Sequence, residues 1–149
     1  MSKIGQNDGN ETALLHLGRG RWLAASRTYQ ERALEMFQSN NDGLKWSSKG
    51  VLTSKNQHPA HLMRLADGRI LLSYGDRNTS PKEIVVRFSE DEGETWGTPR
   101  ILATFLHDGG YPSSVQLADQ TVVTAFYAAE VPSHQRYHMS VVRWRPTRQ

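Results

Sequence analysis

Two arginines, Arg27 and Arg77, each stand twelve residues before the serine of a short phrase that the chain writes twice. A guanidinium is a planar, permanently charged fork that fits a carboxylate bidentately, so a matched pair suits an anionic ligand. The plainer alternative is a pair of strand-end charges facing water. Equal offsets favour the ligand role, because equivalent positions in a repeat aim at one place. Two histidine pairs, His58 with His61 and His134 with His138, invite a metal reading. Strand spacing puts the first pair on opposite faces and the second spans a loop, which argues against zinc. No cofactor is expected. The chain has no cysteine, so neither a disulfide framework nor a thiolate metal site arises.

The phrase itself is "SNNDGLKW" from Ser39 and "SEDEGETW" from Ser89. Around it, whole units recur at about fifty residues: "ALLHLGRGRWLAASR" with "ALEMFQS", then "AHLMRLADGRILLSYGDR" with "EIVVRFS", then "SSVQLADQTVVTAFYAA" with "HMSVVRWR". Each unit holds short runs rich in β-branched and aromatic residues, cut by Gly, Asp and Asn turns. That is the pattern of antiparallel strands joined by tight turns. "IVVRFS" alternates, with Ile84, Val86 and Phe88 on one face and Val85, Arg87 and Ser89 on the other. No stretch carries a convincing helical period, "QERALEMF" included. Four strands per unit is the arithmetic of a propeller blade. A β-sandwich is the competing architecture, but it does not explain the fixed period.

The expected fold is therefore all-β, a partial β-propeller of about three four-stranded antiparallel blades. An N-terminal segment, 1–9, precedes blades at about 10–54, 55–106 and 107–149, and the third lacks its outermost strand. Trp22 and Trp144 are expected in the blade core. With 18 Lys and Arg against 15 Asp and Glu, the net charge is +3, and the basic residues cluster only in the tail "RWRPTRQ". No dense basic stripe with interleaved aromatics marks a nucleic-acid surface. "MSKIGQNDGN" contains neither a signal-like apolar run nor a membrane span, so the chain is expected to be cytoplasmic and not membrane-bound.

The phrase Ser-x-Asp-x-Gly-x-x-Trp resembles the Asp box of the sialidase (neuraminidase) superfamily, a repeat motif of β-propellers. Ser89, Asp91, Gly93 and Trp96 complete it, whereas Ser39, Asn41, Gly43 and Trp46 carry Asn in place of Asp. These residue types serve a turn. A short oxygen accepts turn amides, Gly tolerates positive φ, and Trp supplies a large apolar plate. The phrase is scaffold. Two further stretches carry the resemblance. Glu11, Leu17, Gly20 and Arg27 match the spacing of a sialidase blade opening. "YPSSVQLADQ" resembles the segment that starts at the sialidase nucleophile, matching at Tyr111, Leu117 and Asp119 and departing at Pro112 and Gln120. The likeness runs from about residue 10 to 145 and corresponds to the C-terminal half of a catalytic propeller.

The resemblance implies a glycoside hydrolase for an acidic terminal sugar, with Tyr111 as nucleophile, Glu11 as its base, and Arg27 and Arg77 on the sugar carboxylate. A neutral phenol avoids the repulsion that a carboxylate nucleophile would meet beside the substrate's own carboxylate. The sialidase arginine of this blade falls nearer Lys82, and an ammonium is a point charge that cannot replace the fork, so Arg77 takes the role. Neither Asp76 nor Asp108 matches the acid/base motif of the family. Turnover by the chain alone is accordingly expected to be poor. A non-catalytic carbohydrate- or carboxylate-binding module and an interaction scaffold both stay open. The expected partners are an acidic sugar or glycan and a second copy of the chain, as a dimer formed across uncovered blade faces.

Overall fold

The computed structural model describes residues 9–129 and 136–147. Among these residues there is no helix, and the strands form three antiparallel sheets. Sheet 1 is β1 (Gly9–Gly18), β2 (Arg21–Thr28), β3 (Leu34–Ser39) and β4 (Ser47–Val51), in that order. Sheet 2 repeats the order with β5 (Gln57–Arg64), β6 (Ile70–Asp76), β7 (Lys82–Ser89) and β8 (Arg100–Phe105). Sheet 3 has three strands, β9 (Gly109–Gln116), β10 (Val122–Ala128) and β11 (His138–Trp144). The first strands are neighbours across the sheets, β1 against β5 and β5 against β9. This is the innermost-strand arrangement of successive propeller blades.

Sheet 2 sits between the other two and is covered on both faces. Leu23, Leu34, Met36, Leu72, Tyr74 and Val85 fill the space between sheets 1 and 2. Leu71, Val86, Phe88 and Val122 fill one half of the space between sheets 2 and 3, and Ile84, Phe105 and Phe126 the other. Alternation in "IVVRFS" suggests one wet face, but Ile84, Val85 and Val86 are all buried. The physical reason is the central position of β7, which no single sequence window reveals. Trp144 packs against the Phe88 cluster and its Nε1 donates to Thr124 Oγ1 at 3.0 Å. Trp22 is only half-buried, stacked on His16 at 4.5 Å between ring centroids, so it is a flank of sheet 1 and not its core.

The paired phrases make the same turn. Ser39 Oγ accepts the Gly43 amide at 3.0 Å and donates to Asn41 Oδ1 at 3.1 Å, and the Lys45 amide donates to that same oxygen at 2.9 Å. In the second copy Ser89 Oγ accepts the Gly93 amide at 2.7 Å and donates to Asp91 Oδ1 at 2.8 Å. Thr95 reaches Asp91 through both its amide and its hydroxyl. Gly43 and Gly93 lie at φ +78 and +92, where a side chain is disfavoured. Trp46 and Trp96 are half-buried, not fully buried plates. Both turns close the strand ends opposite Glu11, Arg27, Arg77 and Tyr111.

Candidate active site

Each innermost strand carries a bulge at the same level. In β1 the pairing with β2 runs Asn10 to Arg27 and then Thr12 to Ser26, so Glu11 is the extra residue. In β5 it runs Gln57 to Asp76 and then Ala60 to Tyr74, which sets His58 and Pro59 out of register. In β9 it runs Ser113 to Ala125 and then Gly110 to Tyr127, which leaves Tyr111 and Pro112 opposite one residue. A bulge bends its strand and re-aims the side chain it frees. Here three of them turn Glu11, His58 and Tyr111 toward one another. Tyr111 also has φ +53, a left-handed conformation that costs a side-chain-bearing residue roughly 1–2 kcal/mol.

The resulting cleft has a volume of about 220 Å³ and is lined by Glu11, Thr12, Pro59, Ala60, Tyr111 and Pro112. The Tyr111 hydroxyl donates to Glu11 Oε1. Arg27 Nη1 donates to Glu11 Oε2 at 2.5 Å, and His58 Nδ1 lies 3.9 Å from that oxygen. Partial burial pushes the Glu11 carboxyl up. The Tyr111 hydrogen bond and the Arg27 bond and charge outweigh it and hold the carboxyl below its ordinary range. The Tyr111 hydroxyl is raised, first by its bond to Glu11 and then by burial. Burial, reinforced by the Arg77 and Arg27 charges, pushes His58 down to about 4. At neutral pH the site thus holds a carboxylate, a phenol and an uncharged imidazole. His58 Nδ1 and Arg27 Nε are buried without a hydrogen-bond partner among the described residues.

Arg27 and Arg77 both border His58, as their equal offsets suggest, but they are used differently. Arg77 Nη1 donates to the His58 carbonyl, and Nη2 donates to the Gly109 carbonyl at 2.8 Å. Arg77 is therefore a clamp between sheets 2 and 3, with both terminal nitrogens already engaged by backbone. Arg27 uses Nη1 on Glu11, and its Nη2 makes no hydrogen bond among the described residues. Of the pair, Arg27 is the one with a donor to spare. Asp76 is buried and accepts from Gln57 Nε2 at 2.5 Å, away from the cleft lining. Asp108 lies by Tyr127 and Tyr137, whose hydroxyls donate to its Oδ2 at 3.2 and 3.0 Å.

His58, Tyr127 and Tyr137 are contributors that spacing alone does not find. The available signal for His58 is its proline neighbour at the start of a strand, where ladder pairing breaks. No group of three or more His, Asp or Glu among the described residues is arranged to hold a metal ion. His134 lies outside the described residues.

Three sheets arranged by their inner strands, with polar side chains gathered where those strands begin, define a β-propeller of which this chain supplies an arc. Its sequence matches the model of the BNR repeat-like domain over residues 2–124, and the chain belongs to that family. No curated protein matches it. Among solved structures it is similar to the α-L-arabinofuranosidase Arb93A of Fusarium graminearum in complex with an iminosugar inhibitor. The TM-score is 0.70 at 15% identity, covering 83% of this chain and 42% of the other. It is also similar to an α-L-arabinanase of Penicillium chrysogenum complexed with arabinobiose, with a TM-score of 0.67 at 15% identity, covering 89% and 45%. A third is an ulvan lyase bound to GlcA(1-4)Rha3S, with a TM-score of 0.61 at 14% identity, covering 85% and 35%. The chain spans less than half the length of each of these structures. At such identities the likeness is one of fold.

Proposed function

We propose that this chain carries the nucleophile half of a sialidase-type glycosidase, acting on a sugar with a carboxylate beside its anomeric carbon. The observation that carries the reading is the Tyr111 hydroxyl donating to a Glu11 carboxylate that Arg27 also holds. In the reaction, the Tyr111 oxygen attacks the anomeric carbon as its proton passes to Glu11 Oε1, and the bond to the leaving oxygen breaks. Water then attacks the anomeric carbon and loses its proton to solvent, while Glu11 returns its proton to the departing Tyr111 oxygen, which restores the starting state. The free donor of Arg27 meets the sugar carboxylate, with the Arg77 charge behind it.

Among the described residues Glu11 is the only carboxyl lining the cleft, so none of these residues offers a second one to protonate the leaving oxygen. Substrates whose leaving group is a stable phenolate need no such proton, and simple alkyl glycosides do. The expected result is slow cleavage of an aryl α-sialoside, none of a methyl α-sialoside, and loss of cleavage in Tyr111→Phe. A fluorinated sialosyl fluoride, whose electron-poor glycosyl centre hydrolyses slowly, should leave a sugar on Tyr111 that peptide mass spectrometry locates. Label on another residue, or undiminished turnover by Tyr111→Phe, refutes the reading. That Glu11 is the one carboxyl among the described lining residues also supports a second reading, a carbohydrate-binding module. It predicts saturable sialic acid binding with no label and no turnover.

A further inference from the structure

His58 is only 6% exposed, and its Nδ1 is buried without a hydrogen-bond partner among the described residues. A buried polar nitrogen left unpaired is costly, which points to a partner in another state of the site. Glu11 Oε2 stands 3.9 Å from it, about 1 Å beyond hydrogen-bond reach. That oxygen is held by Arg27 Nη1 at 2.5 Å. Arg27 Nε is itself buried and unpartnered, so the edge left to a ligand is the one formed by Nη1 and Nη2. Nη1 therefore has two claimants, the Glu11 carboxylate and the carboxylate of a bound sugar, and two anions on one nitrogen repel each other. Arg77 cannot relieve the conflict, because both of its terminal nitrogens are spent on backbone carbonyls.

We infer that His58 is a positioning residue that takes over Glu11 when a sugar carboxylate draws Arg27 away. The inference rests on the proposed meeting of Arg27 with that carboxylate and deepens it. His58 Nδ1–H then donates to Glu11 Oε2, while Oε1 keeps the Tyr111 hydroxyl. The backbone is built for the exchange. The bulge at His58 and Pro59 frees the ring from the ladder, and Arg77 Nη1 holds the His58 carbonyl, so the ring turns from a fixed point. Burial and the charges of Arg77, Arg27 and Arg32 oppose a proton on the imidazole and Glu11 favours one, which leaves the ring an uncharged donor. The exchange thus replaces a permanent cation by a neutral group. Glu11 keeps its place but loses the contact that holds its proton affinity down, so it becomes a stronger base once the sugar is bound.

The test uses the methyl α-glycoside of N-acetylneuraminic acid and, as a neutral probe, the methyl ester of that glycoside. NMR titration follows the full chain, isotope-labelled in its histidines, with the His58 signals assigned by their loss in His58→Asn. In the wild type the carboxylate probe should move the Nδ1–H proton of His58 downfield and slow its exchange with water, and the ester should do neither. His58→Leu removes the donor, whereas His58→Asn puts an amide nitrogen near the place of Nδ1. The wild type should bind the carboxylate more tightly than the ester. That preference should fall roughly ten-fold in His58→Leu, the size of one hydrogen bond to a charged acceptor, and largely return in His58→Asn. Should His58→Leu fail to fold, the wild-type histidine spectrum decides alone. A His58 that carries its proton on Nε2, an Nδ1–H that both probes move alike, or an unchanged preference in folded His58→Leu overturns the exchange and leaves the Tyr111 reading standing. A carboxylate-dependent exchange without sugar label on Tyr111 overturns the attack and keeps the exchange, in a binding module. Binding of neither probe overturns both.

Discussion

Gly110→Ala should be among the most damaging small substitutions in this chain, although Gly110 touches no hydrophobic core. A Cβ at Gly110 would stand 2.8 Å from Arg77 Nη2, at φ +126. The far end of an arginine normally swings aside, but this one is pinned by the carbonyls of His58 and Gly109. Gly68 is the internal control, with φ +92 and nothing within 4 Å of its built Cβ. Gly68→Ala should cost only the conformational part, about 1–2 kcal/mol. Gly110→Ala adds the loss of at least one hydrogen bond from a charged donor, about 1.5–3 kcal/mol. The total is about 4 kcal/mol, which places its melting temperature roughly 5–10 °C below that of Gly68→Ala. Urea melts of the two variants measure the difference directly. In an Arg77→Ala background the clash is gone, so Gly110→Ala should then cost no more than Gly68→Ala. Equal stability of the two single variants would refute the clamp.

Three further outcomes follow from the same geometry. His58 binds its proton more weakly folded than unfolded, so stability present above the unfolded value is lost as pH falls from about 6.5 toward about 4. Urea melts at about pH 7 and about pH 5 should differ by roughly 2 kcal/mol, and His58→Gln should remove that part of the slope. Asp91→Asn should cost under about 1 kcal/mol, since Asn41 makes the same serine and amide bonds, while Asp91→Ala should cost about 1–3 kcal/mol. The Asp91 carboxyl is raised by slight burial but lowered further by its Thr95 and Ser89 bonds, so its contribution is lost only as pH falls below the ordinary carboxylate range. Finally, we expect self-association at micromolar concentration. Val115, Met139 and Val141 are 56%, 72% and 49% exposed on the outer face of sheet 3, and light scattering that returns 16.9 kDa throughout the range would refute it.

The sheets were legible in the sequence because a propeller repeats its local chemistry. The turns at Ser39 and Ser89 announce the joint between the third and fourth strands twice, at one spacing. The "LADGR" of sheet 2 and the "LADQT" of sheet 3 also make one turn: Leu65 and Leu117 donate to the carbonyls of Arg69 and Thr121, both at 2.8 Å. Gln120 replaces the glycine and takes φ +67 in the position where Gly68 has +92. The pairing of Glu11 with Tyr111 was legible only by resemblance, since one hundred residues separate them. What spacing could not show is register. The bulges at Glu11, His58 and Tyr111 are defects in pairing between strands, and no window along one strand contains that information. Asp108, Tyr127 and Tyr137 escaped for a related reason, because a hydroxyl at one strand end meets a carboxylate before the next only once the sheet is built.

Arg27 and Arg77 show why a repeat predicts position better than role. Both stand at the end of the second strand of their sheet, twelve residues before the turn serine, and the charge of each acts on the same histidine. The difference lies in what the neighbouring inner strand offers. Arg27 faces β1, where a bulge presents the Glu11 carboxylate, and one terminal nitrogen is enough to hold it. Arg77 faces β9, where Gly109 and Gly110 present backbone without side chains, so the guanidinium sinks in and spends both terminal nitrogens on carbonyls. The equivalent residue of the third copy is Ala129, whose amide donates to the Asp108 carbonyl at 2.7 Å. One position thus yields a carboxylate partner, an inter-sheet clamp and a loop anchor. The repeat fixes where the position lies, and the local backbone and side chains around each copy fix what it does.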